Sequence, residues 1–294
     1  MNSLLDIKYK SSSLFAIQTT LFKEYLFNLS NYGIMGKMPP LSKDLWEAIN
    51  SIFSSFNIKL NLITETKYVD HVTWWYKLNP LNEQDINFYL PLLVLELSIY
   101  PKSFIKKLSL QQIIVCHSLS FHTDLYDQYR AAIPDYENPI YGMIYCAKER
   151  DISYIRSVIH HELFHYYDYI DHGGFVLQND PWELFNPEGF KYGEGGWANR
   201  TVNTLDVKLF DYFISDYSTS GIEEDKAEIF GWMVTQGLSS KILGRREGVL
   251  GKYTSIKCML ENFDKEGFWQ GNGDFWDKAI QFKKIICDNF YGIT

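Results

Sequence analysis

The chain predicts an α+β fold, and three observations carry that reading. Strand-like runs are confined to the first half, at residues 58–63, 112–116 and 140–146, whereas nearly everything after residue 150 reads as helix or irregular loop. One long run, residues 152–170, repeats apolar or aromatic residues at helical spacing. Composition then supplies material for a sizeable core: of 294 residues, 46% are hydrophobic and 17% aromatic, with 22% charged, which excludes a disordered or fibrous chain.

Taken in order, residues 14–29 and 41–56 are amphipathic and predict two helices separated by a loop at 33–40. They form a helical lead-in over 1–57, packed on a main domain spanning 58–294. Residues 58–63 alternate apolar and polar and predict a strand. Residues 83–107 are largely helical with a break near Pro101, and 112–116 is a second strand. The third, 140–146, directly precedes the long helix; it fits a sheet edge that binds a peptide by strand addition, or an ordinary interior strand. Gly173 and Gly174 end the helix, and the Gly-, Pro- and Trp-rich stretch that follows to about residue 200 predicts a long ordered loop over a cleft. A further helix is expected over 222–238. Two more are expected at 252–263 and 274–290, with Phe268, Trp269, Phe275 and Trp276 packing on the helices before them.

Charge and cysteines narrow the function classes. With 28 basic and 36 acidic residues the net charge is −8, and no Lys/Arg run is interleaved with aromatics, so nucleic acid is not an expected partner. Cys116, Cys146, Cys258 and Cys287 stand far apart without C-x-x-C spacing, so reduced, buried thiols are expected. The first residues lack a basic start followed by an apolar run, and the longest apolar patch, 89–100, contains Pro91 and Glu96 and is shorter than a membrane span of about 18 residues. A cytoplasmic protein, or one exported by a route without this kind of signal, is the expectation.

The chemistry lies in the long helix. His161-Glu162-x-x-His165 sets two histidines one helical turn apart, where both can point at one zinc ion, with Glu162 beside a metal-bound water. Chance gives roughly 0.01 such matches in a chain of this composition. This is the zincin pattern. His160 has Phe164 four residues on and cannot complete a pair, so the register is fixed. His161, His165, Asp168 and His172 share a face distinct from the apolar stripe of Ile152, Ile155, Ile159, Leu163, Tyr166 and Ile170.

A catalytic zinc takes three protein ligands and keeps one position for water, so a third is needed. Asp171 is the metzincin position, but Asp168 stands where the chain would need a turning glycine. His172 lies seven residues from His165, about 10.5 Å along a continuing helix. Glu183 and Glu188 have a suitable separation but sit in a stretch containing Pro181 and Pro187 rather than on a clear helix. Glu224 stacks with Glu228 on a predicted helix carrying Ala227, Phe230, Gly231 and Val234, where a carboxylate can be aimed at the metal. An acidic first turn favoured by the helix dipole explains the same residues without a metal.

Two blocks, His161-Glu162-Leu163-Phe164-His165-Tyr166-Tyr167-Asp168 and Tyr217-x6-Glu224-x2-Ala227-Glu228-x-Phe230, resemble the catalytic domain of the anthrax lethal factor type of zinc metallopeptidase. The resemblance covers residues 161–232. It implies a zincin-like domain with a small mixed sheet and an active-site helix, zinc held by His161, His165 and Glu224, Glu162 as general base and Tyr217 as oxyanion stabiliser. Asp168 is expected to fix a ligand histidine's tautomer or to make a helix-end ion pair, and Glu228 to lie just behind the metal. The expected activity is hydrolysis of a peptide or protein substrate by a gluzincin-type zinc endopeptidase. The alternatives are a catalytically inactive zincin-like protein that captures a partner strand, and a zinc hydrolase acting on a non-peptide amide.

Overall fold

The computed structural model describes residues 25, 37–100, 102–123, 127–137, 140–175, 180–193, 195, 207–209, 211–236, 248–249 and 251–256. The expected helices at 14–29 and 274–290, most of that at 252–263, the four aromatics named with them, and Cys258 and Cys287 lie outside the described residues.

Ser42 opens the first described helix, α1 (Lys43–Phe56), by accepting a hydrogen bond from the Leu45 amide, and Asn57 closes it in the left-handed conformation. Its apolar stripe, including Ile49, Ile52 and Phe53, joins the same buried cluster as the long motif helix. The second helix, α2 (Glu83–Leu97), starts with a reciprocal capping box between Asn82 and Asp85. Every residue from Asn87 to Leu97 is buried, so this helix, apolar on all sides, is the centre of the core. A short helix α3 (Lys102–Lys107) follows after Pro101, where the break was expected.

Two four-stranded sheets follow: one packs a face on this core through Ile113, Val115, Met143 and Tyr145, and its other face, with Ile114, Cys116 and Ile144, packs on the second sheet through Val69, Tyr76, Leu78 and Leu119. One contains β1 (Lys59–Leu62), β4 (Gln112–Cys116), β8 (Gly142–Cys146) and β7 (Ala132–Asp135) in the order β1-β4-β8-β7. The first three run parallel, and β7 pairs antiparallel with β8, so this sheet is mixed. The other is an antiparallel arrangement of β2 (Lys67–Asp70), β3 (Trp74–Leu78), β5 (Leu119–Thr123) and β6 (Asp127–Arg130) in the order β2-β3-β5-β6. The sequence reading had not separated out these four strands or β7. Residues 140–146 do not form a sheet edge: β8 lies between β4 and β7 and all five of its residues are buried. The edges are β1 and β7, and the Pro134 of β7 argues against a strand in sequence but is tolerated at an edge. Cys116 and Cys146 are neighbours in register, free and buried, with sulfurs 3.9 Å apart.

Beyond the sheets comes the motif helix, α4 (Ile152–His172), capped by the Asp151 carboxylate on the Ser153 and Tyr154 amides and ended by Gly173 in the left-handed conformation. Its anchor to the core is polar. Glu96, 1% exposed on α2, accepts from Arg156 Nε at 2.9 Å and from His160 Nε2 at 2.6 Å. The Tyr100 hydroxyl meets His160 Nδ1 at 2.7 Å, so both ring nitrogens of this fully buried histidine are satisfied.

The last described long helix, α5 (Ile222–Gln236), runs back along α4, with Glu224 beside His161 and His165 and Gly231 against Ser157. A Cβ at Gly231 would stand 3.2 Å from Ser157 O and 3.6 Å from the His161 amide, so glycine sets how closely the helices approach. Among the described residues no helix is long and apolar enough to cross a membrane. Gly231→Val is therefore expected to cost roughly 1–3 kcal/mol or more by overpacking, and Gly231→Ala less; urea unfolding of both variants checks the order.

Candidate metal centre

His161 and His165, one turn apart on α4, aim their Nε2 atoms at a common point, 3.0 Å from each other. Glu224 Oε2 completes the triangle at 3.0 Å from His161 Nε2 and 3.2 Å from His165 Nε2. Ligand atoms placed 2.0–2.1 Å from a tetrahedral zinc stand about 3.3 Å apart, so the spacing and the N,N,O donor set fit that ion. Among the described residues these three form the one group of His, Cys, Asp and Glu side chains arranged to hold a metal. Glu183 and Glu188, in and just after the 3-10 turn Pro181–Phe185, are exposed and stand apart from it, as does Asp171. His172 donor geometry is taken up by Asp168.

Electrostatics keep the carboxylate of the set ionised, while the same charge draws protons to the two imidazoles, which a metal would have to displace. Burial alone would raise the Glu224 pKa, but His165 and His161 hold its carboxyl well below the usual range. Burial alone would lower both imidazoles; the Glu224 carboxylate outweighs it at each, joined at His161 by Glu228. Glu228 Oε1 lies 3.1 Å from His161 Nδ1, while its Oε2 accepts from Ser215 Oγ at 2.6 Å. A carboxylate behind the ligand histidine fixes Nδ1 as the protonated nitrogen and leaves Nε2 for the metal. Tyr217, in the 3-10 turn Tyr217–Thr219, donates its hydroxyl to Glu224 Oε1 at 2.9 Å. Burial, then Glu224 and Glu162, push its pKa well above 10, so the phenol stays a donor.

Glu162 turns from the ligand triangle into a cleft of about 1040 Å³, shared with His161, Tyr217, Glu228, Ala132 and Trp232. Burial raises its pKa against the pull of His161 and His165. Asp168 does not touch a ligand histidine. Its carboxylate pairs with His172 Nδ1 at 3.3 Å and Lys226 Nζ at 3.5 Å, and Lys226 reaches Asp180 at 2.6 Å, tying the end of α4 to α5 and to the cap of the 181–185 turn. Asp225, fully buried, takes Lys252 Nζ at 2.6 Å, Trp182 Nε1 at 2.8 Å and the Tyr192 hydroxyl at 2.6 Å. So part of the stretch expected to cover the cleft is fastened to α5, and none of its described residues lines the cleft.

Sequence reasoning missed Glu96, His160 and Ser215 as supports of the site. A lone acid within an apolar helix was the available signal for Glu96, since such a residue needs a buried partner.

No protein-family model matches the chain, and no curated protein matches it. Among solved structures, the chain resembles a protein from Bacteroides caccae provisionally named a zinc-binding metallo-peptidase, with 13% identity, a TM-score of 0.46, and 92% of this chain and 94% of that one covered.

One pH dependence follows from the helix-end pair. The bond to Asp168 lifts His172 to a pKa of about 9, above the roughly 6.5 of a free histidine. A raised folded pKa stabilises the fold fully below pH 6.5, and that contribution disappears as pH rises through 9. The stability difference between the wild-type protein and His172→Gln, from urea unfolding across pH, is expected to be largest at the acid end and to close above pH 9.

Proposed function

We propose that this chain is a zinc-dependent endopeptidase in which His161, His165 and Glu224 hold the metal and Glu162 is the general base. The observation that carries the reading is the triangle of donors at 3.0–3.2 Å, beside a cleft that His161 and Glu162 line. The two-block resemblance to the lethal factor type of metallopeptidase supports the same assignment. Bound by this set, zinc would supply Lewis acidity, bringing water to a pKa near 7 and polarising a carbonyl.

The chain's own groups do the rest. Glu162, its proton affinity raised by burial, takes the proton of the attacking water and passes it to the departing amine. Tyr217 keeps its proton and turns its hydroxyl from Glu224 Oε1 to the oxyanion that develops on the substrate carbonyl, a contribution often worth about 3 kcal/mol of barrier. Glu228 and Ser215 orient His161 from behind. Among the described residues no further strand pairs with β7, whose Ala132 lines the cleft, so its edge offers backbone groups to an extended peptide, which favours a peptide over a small amide.

Glu162→Gln is expected to lower peptide cleavage by about 10²–10⁴-fold while zinc content stays at the wild-type level. Cleavage at the wild-type rate in that variant, read on a fluorogenic peptide mixture, would remove Glu162 from its role.

A further inference from the structure

β7 begins at Ala132, which lines the cleft together with Glu162, and Tyr136 directly follows its last residue. The Tyr136 ring stacks on Tyr166 and Tyr169 of α4, with centroids 5.2 and 4.0 Å away, and meets Phe175 edge-on. Tyr166 is next to His165 in the chain, and Tyr169 lies one turn beyond it. His71 holds the residues on either side of Tyr136: its Nε2 is 3.2 Å from Asp135 Oδ2 and its Nδ1 is 3.2 Å from Glu137 Oε2. The phenol is held from three sides, yet its hydroxyl has no hydrogen-bond partner among the described residues and is not sealed from solvent. Burial, then Glu162, Tyr166, Asp168 and Glu224, push its pKa well above 10, so it is a standing donor that feels the carboxylates of the site. Tyr217, by contrast, is already bonded to Glu224.

The edge of β7 is short of a donor at the same place. In its ladder with β8 the Cys146 amide donates to Ala131 O at 2.9 Å, and by antiparallel alternation Ile133 and Asp135 are the next residues bonded towards β8. Ala132 and Pro134 then turn their backbone groups outward, to the edge that pairs with no further strand among the described residues. Pro134 has no N–H. A peptide added to this edge finds a donor and an acceptor at Ala132 but only an acceptor at Pro134. Its carbonyl opposite Pro134 is left without a backbone partner, and Tyr136 stands two residues further along with an unengaged hydroxyl.

We propose that Tyr136 is a substrate-binding residue whose hydroxyl donates to the peptide carbonyl that Pro134 leaves unpaired on the β7 edge. This rests on the peptidase reading for its purpose, but the contact can be measured apart from turnover. The probe is a fluorescent peptide of about ten alternating Thr and Ala residues, read by anisotropy on zinc-loaded Glu162→Gln protein. Its internally quenched form is read for cleavage by protein with Glu162 intact.

In the Glu162→Gln background, Tyr136→Phe keeps the stacked ring and is expected to weaken binding about fivefold. Pro134→Ala restores an N–H to the edge. Added to Tyr136→Phe it is expected to recover most of that loss, whereas with Tyr136 present it changes affinity by about twofold or less. In turnover, Tyr136→Phe is expected to raise KM by about fivefold and to leave kcat within about twofold, because the carbonyl it holds is not the one being cleaved. Unchanged binding in Tyr136→Phe overturns the contact, and so does a loss that Pro134→Ala leaves untouched, which would mark a purely structural role. No saturable binding of the probe to the zinc-loaded protein overturns strand addition and the contact with it. Binding that follows the expected pattern, without cleavage by the wild-type protein, keeps the contact and overturns the peptidase reading; cleavage with an unchanged KM in Tyr136→Phe does the reverse.

Discussion

The close contact of two helices at Gly231 is the constraint on which the site depends. Because α5 has no side chain there, its backbone settles on Ser157 and His161 of α4. Glu224 lies seven residues earlier, two helical turns, and so returns to the same face of α5 opposite His161 and His165. The same face carries Glu228 one turn on, which is why one carboxylate meets Nε2 of His161 and the other meets its Nδ1. Helix spacing, not any single bond, converts two sequence blocks separated by 48 residues into one donor set.

Each helix is fixed from its other side as well. α4 is tied to the buried α2 by Glu96, which holds His160, the residue before His161. α5 uses consecutive residues for different attachments: Glu224 for the donor set, Asp225 for Lys252, Trp182 and Tyr192, and Lys226 for Asp168 and Asp180. Buried pairs of this kind add little net stability, but removing one partner strands a charge, so they make geometry costly to change. That suits a site whose donors must stay within a fraction of an ångström.

The α+β class, the long motif helix and the positions of α1, α2, β4 and α5 were legible in the sequence because each has strong periodicity or clear end signals. Ser42, Asn82 and Gly173 mark helix ends that local chemistry alone determines. The antiparallel sheet was not legible: Lys67–Asp70 and Asp127–Arg130 are short and polar, and only pairing with β3 and β5 makes them strands. Of the two places open to 140–146, sheet edge or interior, the interior one holds; β7 was not seen because Ala132–Asp135 is less apolar, and apolarity marks the strand buried on both sides, not the one beside the cleft. In the site, motif spacing pointed to His161, Glu162 and His165. The place of Glu224 next to them depends on helix packing that no local pattern encodes, and Asp168 follows its nearest cations, His172 and Lys226.

The measurement that tests the account most directly is zinc per chain, by elemental analysis, on the wild-type protein and Glu224→Ala purified side by side. The geometry predicts about one zinc in the wild type and well below one in the variant. One zinc in both would contradict the donor set built on α5, and none in either after reconstitution would contradict the metal centre itself.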